Sequence, residues 1–222
     1  MASVPVITVD GPSGTGKGTI AQKLATYLGW HYLDSGALYR ATAWAVLDQG
    51  VDIDDVHILQ QLLDELSIST QAAEGQSTII CQGQDISVAI RSEAVGIMAS
   101  RISSKSMVRK ALFDLQLSAR QHPGLVADGR DMGTVVFKDA INKFFLNASA
   151  SERANRRYKQ LQENGISGNL AQIEADLIKR DQRDLSRSLS PTVPASGAII
   201  IDTTRMKIQQ VMEEVIAVVD AA

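Results

Sequence analysis

The sequence has few of the residues and patterns that mark secreted, membrane-spanning or metal-binding proteins. Its single cysteine, Cys81, has no partner for an intramolecular disulfide, which predicts a reducing compartment and hence the cytoplasm. No apolar run approaches the roughly 18–20 residues that a membrane-spanning helix needs, so no membrane partner is expected. The three histidines are scattered, and with one cysteine they form no metal-ligand pattern. The formal net charge of −3 argues against a nucleic-acid polymer as partner, because such binding usually requires a basic excess.

The sequence does contain a regular alternation of short apolar runs and helical-period segments, which is typical of an α/β fold. With 222 residues, of which 45% are hydrophobic, the chain is long enough to bury the core of one domain. Helices are predicted at residues 17–28 and at 208–216, where apolar side chains share one face. The apolar runs predict buried strands at residues 4–9, 31–33, 125–127, 143–146 and 198–201.

Residues 66–88 interrupt this alternation. They contain short β segments separated by turn residues, which indicates antiparallel hairpins inserted into a parallel domain. The segments are residues 66–70, 77–82 and 86–88, and the turns are 74–75 and 83–85.

A second interruption, residues 150–168, is polar, rich in arginine and helical in pattern, and it ends in the flexible segment 164–168. Insertions of this kind often carry specificity or form a moving lid. Further along, Pro191 and Pro194 predict that the preceding helix ends near Leu189.

The strongest local motif lies between the first predicted strand and the first predicted helix, which is the context that a phosphate-binding loop requires. Its glycines let backbone N–H groups turn inward around a polyphosphate, and the helix N-terminus adds partial positive charge. Lys17 adds a full charge for the β- and γ-phosphates. The alternative is a glycine-rich turn with a surface lysine, but the order of strand, loop and helix favours nucleotide binding. The motif consists of Gly11, Pro12, Ser13, Gly14, Thr15, Gly16, Lys17, Gly18 and Thr19.

The motif departs from the usual pattern after Lys17, where Gly18 replaces the serine or threonine whose hydroxyl would bind Mg²⁺. Thr19 follows one residue later and can supply that oxygen, or a water molecule takes its place. The expected cofactor is a magnesium ion carried by ATP, with no ligand set supplied by the protein itself.

Two polar clusters follow predicted strands. In residues 34–40, Ser35 either caps the next helix or binds an anion, and Arg40 either reaches that anion or forms a surface salt bridge. In residues 128–131, two carboxylates and an arginine lie beside a glycine. That combination is hard to explain as core, and the alternative is a solvated loop.

Arginines recur on two predicted helices. Arg180, Asp184 and Arg187 have the spacing of one helical face, which taken alone favours a salt-bridged, solvated helix. Arginines on a mobile segment suit a transferring phosphoryl group, because its transition state spreads negative charge over several oxygens. The arginine-rich stretch carries Arg153, Arg156 and Arg157.

Together these motifs resemble those of the bacterial cytidylate kinases, which belong to the nucleoside-monophosphate kinase family of P-loop kinases. The resemblance covers nearly the whole chain. Residues 127–134 are the part most specific to cytidylate kinases, whereas the lysine loop fits many P-loop kinases. Gly-Lys-Gly-Thr is the usual form of that loop in nucleoside-monophosphate kinases. The matching segments are residues 10–14 with 16–19, 33–36 with 39–40, 127–134, 152–154 with 156–157, and 180–181 with 183–184.

The resemblance implies an α/β fold with a P-loop kinase core, in which helices flank a five-stranded parallel sheet. It also implies an inserted monophosphate-binding region with antiparallel β hairpins, and a short helical lid. The implied boundaries are a single domain over 1–222, with the core at about 1–61, 99–150 and 169–222, the insertion at about 62–98 and the lid at about 151–168.

The resemblance further implies an activity and its residues. The enzyme would be a monomer that transfers the γ-phosphoryl group of ATP to CMP and dCMP in pyrimidine nucleotide metabolism. Residues 11–19 would bind ATP. The acceptor phosphate would be held by Ser35, Arg40 and Arg130. The cytosine would be bound by Ser100, Arg109, Asp131 and Arg187, and the sugar by Arg180 and Asp184. The catalytic charges would be Lys17, Arg130, Arg153, Arg157 and Arg187.

The local sequence supports the implied role of Asp131 but not those of Ser100 and Arg109. Ser100 and Arg109 come only from the resemblance, and their local sequence predicts ordinary helix-surface residues. Asp131 has a physical basis as a specificity residue, because cytosine presents a donor at N4 where uracil presents an acceptor.

Two rival functions stay open: a P-loop kinase for another monophosphate or a metabolite alcohol, and a nucleotide-binding module without rapid turnover. No general base is evident in the sequence. A phosphate monoester needs none, because it is largely dianionic at pH 7, whereas an alcohol acceptor would want a base. A binding module has little use for so many arginines, which favours transfer chemistry.

Overall fold

The computed structural model describes residues 4–73, 76–163, 165 and 167–221. The chain divides into two compact units: a large unit, Met1–Leu33 with Leu117–Ala222, and a small unit, Asp34–Gln116. The strands are β1 (Val6–Asp10), β2 (His31–Asp34), β3 (Ile68–Ala73), β4 (Gln76–Cys81), β5 (Gln84–Asp85), β6 (Leu125–Gly129), β7 (Asn142–Asn147) and β8 (Ile199–Asp202). The helices are α1 (Lys17–Leu28), α2 (Ser35–Asp48), α3 (Val56–Glu65), α4 (Glu93–Ile102), α5 (Ser106–Ser118), α6 (Ala150–Glu163), α7 (Leu170–Leu185) and α8 (Ile208–Asp220). A 3₁₀ turn occupies Ala89–Arg91 and a π-helical turn occupies Met132–Val136.

The large unit is built on a five-stranded sheet in the order β2-β6-β1-β7-β8, and the predicted parallel sheet is confirmed. β1 lies at its centre and pairs in parallel with β6 and β7. Every residue of β1 and β6 is buried, as is usual where both faces of a parallel sheet are covered. α1 and α8 add Leu24 and Val215 to the same core. Because β1 and β6 are buried on both faces, their sequences are mainly apolar and do not alternate between apolar and polar residues.

Each predicted strand of this sheet is present, but each observed strand ends one or two residues later than the apolar pattern indicates. Parallel strands direct their carboxyl ends to one edge of the sheet, and ligands bind at that edge in open α/β folds. The added residues are therefore polar or glycine because they belong to this edge and not to the core. They are Asp10, Asp34, Asp128, Gly129, Asn147 and Asp202.

The small unit contains α2, α3, α4, most of α5 and a three-stranded antiparallel sheet in the order β3-β4-β5. The predicted hairpin is confirmed for its first two segments, with Ser69 opposite Ile80. The predicted turn at residues 74–75 lies outside the described residues.

The prediction of a third hairpin strand at residues 86–88 is wrong, because the strand occupies Gln84–Asp85 and the chain then turns. The side chain of Asp85 gives the reason. Its carboxylate accepts hydrogen bonds from the N–H and the hydroxyl of Ser87, at 2.9 and 2.6 Å, which is an Asx-type turn. The chain therefore leaves the ladder where the apolar pattern would extend it.

α1, α6 and α8 confirm helices expected from the sequence. In α8, Val211 is buried as predicted, but Ile208 of the same predicted face is 48% exposed. α6 covers most of the predicted lid, and Asn164 and Ile166 of its predicted flexible end lie outside the described residues. The boundaries of core, insertion and lid stay predictions. Among the described helices, none has the length and apolarity to span a membrane.

α7 ends at Leu185, earlier than the end near Leu189 that the prolines predict. The Ser186 N–H still donates to the Gln182 carbonyl at 2.9 Å, after which the backbone leaves the helix. Arg187 therefore lies beyond α7, so its predicted place on the helix is wrong.

Gly11 lies where the chain leaves β1, and the space around it is tight. Its φ of 149° is a conformation that side chains with a Cβ rarely adopt. A Cβ at Gly11 would lie 2.1 Å from the carbonyl oxygen of Leu146 in β7. We expect Gly11→Ala to lower the free energy of unfolding by about 3 kcal/mol or more, because the opposing atom belongs to the backbone of a central strand. Urea denaturation followed by circular dichroism measures this.

Gly29→Ala is the matched control. Gly29 has a φ of 65°, and nothing lies within 4 Å of a Cβ built there, so only the conformational penalty remains. That penalty is about 1 kcal/mol. Equal losses in the two variants would contradict the steric explanation for Gly11.

Candidate active site

The loop of residues 11–16 joins β1 to α1, as predicted. The Thr15 hydroxyl and the Lys17 ammonium both donate to the Pro12 carbonyl, each at 3.2 Å. These bonds close the loop on itself and hold Lys17 against it. Gly16 precedes α1 and has no side chain to cap it, which leaves the first N–H groups of the helix for an anion.

Two arginines of α6 bind further carbonyls of the loop. Arg153 donates to the Ser13 carbonyl and Arg156 to the Thr15 carbonyl, both at 3.1 Å. The C=O and N–H groups of one peptide plane point in opposite directions. Cations on the carbonyl side therefore leave the next N–H groups directed to the other side, where they can surround an anion.

Arg153 is buried and has two further partners. It donates to the Ala148 carbonyl at 3.0 Å and to Asp181 at 2.6 Å. The other carboxylate oxygen of Asp181 is buried and accepts no hydrogen bond from the described residues. In this structure Arg153 thus joins the loop to α7, while Arg157 lies half-buried on α6.

Arg156 reaches the chain just beyond β8. It donates to the Thr203 carbonyl at 2.6 Å, and the Thr203 hydroxyl donates to the Thr15 carbonyl at 3.0 Å. No role is predicted for Thr203 from the sequence, and Arg156 is predicted only as one of the lid arginines that suit a transferring phosphoryl group. For Arg156 the signal was its place among the lid arginines, whereas Thr203 has no local signal.

Asp128, near the end of β6, is buried beside the loop. Its carboxylate accepts a hydrogen bond from the Tyr32 hydroxyl at 3.3 Å and lies 4.0 Å from the Lys17 ammonium. A Cβ on Gly18 would lie 2.9 Å from the same carboxylate. The glycine that replaces serine or threonine therefore has a steric reason, which the local pattern does not reveal.

Residues 128–131 are not the solvated loop that was their alternative, because both of their aspartates are buried. The turn that follows packs on Asp10, whose carboxylate accepts hydrogen bonds from the N–H groups of Met132 and Gly133 at 2.9 and 2.8 Å. Burial raises the pKa of Asp10 to about 6, although these two hydrogen bonds lower it. No role is predicted for Asp10 from the sequence.

Asp184 on α7 binds two of the arginines that were predicted from the sequence. Its carboxylate accepts hydrogen bonds from Arg130, at 3.4 Å, and from Arg187. Asp184 is 3% exposed, so the solvated-helix alternative is wrong for it. Two guanidinium groups on one carboxylate leave a net positive charge, which suits a phosphate. Arg180 lies one turn earlier on α7 and is half-buried.

Ser35 and Arg40 lie on α2 in the small unit. Asp34 caps this helix, because its carboxylate accepts a hydrogen bond from the Ala37 N–H at 2.9 Å. The capping alternative for Ser35 is therefore wrong, and Ser35 is buried. Arg40 donates to the Ile90 carbonyl at 2.7 Å, which holds its guanidinium against the turn before α4.

Ser100 and Arg109 lie on α4 and α5, also in the small unit. Ser100 is 4% exposed, so the surface position predicted from its local sequence is wrong. Arg109 donates to the Ser103 carbonyl at 3.3 Å, and its guanidinium carbon lies 5.8 Å from the centre of the Tyr39 ring. Such a cation–π contact orients the arginine, and it brings Arg109 close to α2.

The family model for cytidylate kinase matches residues 7–221. A cytidylate kinase of Coxiella burnetii is 52% identical, over 95% of this chain and 90% of that protein. One of Edwardsiella ictaluri is 51% identical, over 97% of this chain and 96% of that protein. Another, of Marinomonas sp., is 51% identical over 96% of this chain and 94% of that protein. Since these matches run from the phosphate loop to the last helix, the chain belongs to the cytidylate kinase family, whose members are transferases of the nucleoside-monophosphate kinase type.

Proposed function

We propose that this chain transfers the γ-phosphoryl group of ATP to CMP and dCMP, giving ADP with CDP or dCDP, in pyrimidine nucleotide metabolism. The observation that carries the proposal is the arrangement of charge in the large unit. Lys17, Arg153 and Arg156 each bind a carbonyl of the phosphate loop, and two more arginines share the buried Asp184. The relatives named cytidylate kinase support CMP as the acceptor. We further propose that the protein acts as a monomer in the cytoplasm.

The phosphate loop is the proposed ATP site. The N–H groups of the loop and of the first turn of α1 bind the β- and γ-phosphate oxygens, because the loop carbonyls are held on the other side. Lys17 moves from the Pro12 carbonyl to the γ-phosphate, where its full charge is better neutralised. The proposed ATP-binding residues are Gly11, Pro12, Ser13, Gly14, Thr15, Gly16, Lys17, Gly18 and Thr19.

Magnesium is proposed to enter with ATP. Among the described residues, no group of three or more histidine, cysteine, aspartate or glutamate side chains could hold a metal ion. The donors beside the loop are nevertheless oxygens, which Mg²⁺ prefers: the exposed Thr19 hydroxyl and the buried Asp128 carboxylate. Thr19 would hold the ion together with the phosphates. When bound, the ion supplies charge neutralisation on the β- and γ-phosphates.

The acceptor residues are proposed within each unit separately. In the large unit, Arg130 binds the acceptor phosphate, Arg187 and Asp131 bind cytosine, and Arg180 with Asp184 binds the sugar. In the small unit, Ser35 and Arg40 bind the acceptor phosphate, and Ser100 and Arg109 bind cytosine. The contacts of Arg130 and Arg187 with Asp184 support these roles, because they orient both guanidinium groups before a substrate arrives.

The reaction requires alignment and charge neutralisation, and the proposed mechanism uses no general base. With a second pKa of about 6, the acceptor phosphate is largely dianionic at neutral pH. One of its oxygens attacks the γ-phosphorus of ATP while the bond from that phosphorus to the β-phosphate oxygen breaks. Negative charge on the transferring group is neutralised by Lys17, Arg130, Arg157 and Arg187, and Arg153 adds its charge from the carbonyl side of the phosphate loop, where it binds Ser13.

Steady-state ADP formation with CMP, dCMP, UMP and AMP tests the function directly. With ATP and magnesium present, we expect rapid turnover of CMP and dCMP, and a kcat/KM for UMP and AMP lower by about 10-fold or more. ADP release that is slow and independent of the acceptor would instead fit a nucleotide-binding module. Failure to phosphorylate any pyrimidine monophosphate would refute the proposal.

Asp131→Ala removes the proposed acceptor of the cytosine amino group. A carboxylate accepts from N4 of cytosine and repels O4 of uracil. We expect kcat/KM for CMP to fall by about 100-fold, and kcat/KM for UMP to fall much less. Asp139→Ala is the control, because Asp139 is exposed and pairs with Arg120 at 2.8 Å. A CMP/UMP ratio that does not change in folded Asp131→Ala would remove the assignment.

The proposed lid, residues 151–168, predicts a change in hydrogen exchange. Arg153 and Arg156 tie the first half of α6 to the loop, so this half has little freedom to move. We expect ATP and CMP together to slow exchange mainly at residues 158–168 and to leave residues 150–157 nearly unchanged. Peptide-level exchange is compared without ligand, with ADP alone, and with a non-hydrolysable ATP analogue and CMP. Identical exchange at residues 158–168 in all three states would contradict a lid.

A further inference from the structure

We propose that Asp10 is a positioning residue for acceptor selectivity: its carboxylate fixes the turn Met132–Val136 and, through that turn, the neighbouring Asp131. The inference rests on the proposed function, in which Asp131 distinguishes cytosine from uracil. Asp10 ends β1, one residue before the phosphate loop, and touches neither nucleotide in this scheme.

The carboxylate of Asp10 holds two consecutive N–H groups directly after Asp131. One oxygen accepts from Met132 at 2.9 Å and the other from Gly133 at 2.8 Å. A planar group that is bonded through both oxygens cannot rotate without losing a hydrogen bond. The start of the turn is therefore fixed to the end of β1.

The peptide between Asp131 and Met132 is also held at its carbonyl, by the turn itself. The Asp131 carbonyl accepts hydrogen bonds from the N–H groups of Val135 and Val136, at 2.9 and 3.3 Å. The peptide that follows Asp131 is thus bonded at its carbonyl by the turn and at its N–H by Asp10. This arrangement therefore fixes the backbone from which the Asp131 side chain extends.

Gly133 shows how closely the turn approaches β1. A Cβ at this position would lie 2.8 Å from the Thr8 hydroxyl and 3.4 Å from the Asp10 carboxylate. A larger residue would require either the Thr8 side chain or the turn to shift, so this glycine allows the close approach that the direct hydrogen bonds need. A small displacement of the Asp10 carboxylate would therefore also displace the turn, because the hydrogen bonds between them are direct.

Packing alone does not explain why a carboxylate, that of Asp10, occupies this buried position. Burial disfavours the ionised form of Asp10, as the raised pKa of about 6 indicates. An apolar side chain would avoid that penalty but leave two buried N–H groups without acceptors, and asparagine offers only one oxygen. A carboxylate is the side chain of this size that satisfies both donors.

Asp10→Asn tests the proposal, because it keeps the size of the side chain and removes one acceptor. We expect kcat/KM for CMP to fall about 10- to 100-fold and the CMP/UMP ratio of kcat/KM to fall about 5-fold or more. The KM for ATP should change by less than about 3-fold, because the loop hydrogen bonds are retained. A merely structural defect would lower the activities with CMP and UMP together and leave their ratio unchanged. Asp139→Asn, an exposed aspartate of the same unit, is the matched control.

A measurement on the unmodified protein covers the case in which Asp10→Asn does not fold. By NMR, the amide protons of Met132 and Gly133 should exchange slowly without any nucleotide. In folded Asp10→Asn, at least one of them should exchange about 10-fold faster or more. Rapid exchange of both amides in the unmodified protein overturns the proposal.

The outcomes distinguish a failure of the proposed CMP phosphorylation from a failure of the positioning role of Asp10. If the unmodified protein does not phosphorylate CMP, the proposed function fails and the role of Asp10 in selectivity fails with it. If CMP is phosphorylated and folded Asp10→Asn keeps the original CMP/UMP ratio, the positioning role alone is overturned.

Discussion

The register between β1 and β6 is the constraint on which the candidate site depends. Because these parallel strands pair with Asp10 opposite Gly129, the phosphate loop and the segment after β6 leave the sheet side by side. This pairing brings Asp128 to 4.0 Å from Lys17 and lets Asp10 bond the turn that follows Asp131. A shift of one residue would turn these side chains to opposite faces of the sheet. The relative positions of Lys17, Asp128 and the turn after Asp131 are thus a consequence of strand pairing.

The cations of the large unit are oriented by acceptors within the protein. Lys17, Arg153 and Arg156 bind carbonyls of the phosphate loop, and the buried carboxylate of Asp184 binds Arg130 and Arg187. Long cationic side chains lose much rotational freedom when they bind a substrate, so orientation beforehand lowers that loss. This kind of preorganisation suits phosphoryl transfer, in which the protein contributes position and charge more than proton transfer.

The elements predicted well from the sequence are those that depend on neighbouring residues. The buried strands, α1 and the first hairpin follow from apolar periodicity, and the phosphate loop follows from closely spaced glycines and Lys17. Two of the errors arose where one polar side chain decided a boundary. Asp85 bonds Ser87 and ends β5 early, and Asp34 caps α2 although Ser35 is an equally suitable residue by type. Adjacent polar residues compete for such roles, and residue type alone does not decide between them.

Short segments of the sequence were enough to predict the strands of the parallel sheet, the phosphate loop and the resemblance to a kinase family, because each of these features is encoded locally. The contacts between groups that are distant along the chain depend on the folded structure. Asp10 bonds Met132 across 122 positions of the chain, and a Cβ on Gly18 would lie 2.9 Å from the Asp128 carboxylate. Such contacts follow from strand register and packing, which depend on the whole fold and therefore leave no local pattern in the sequence.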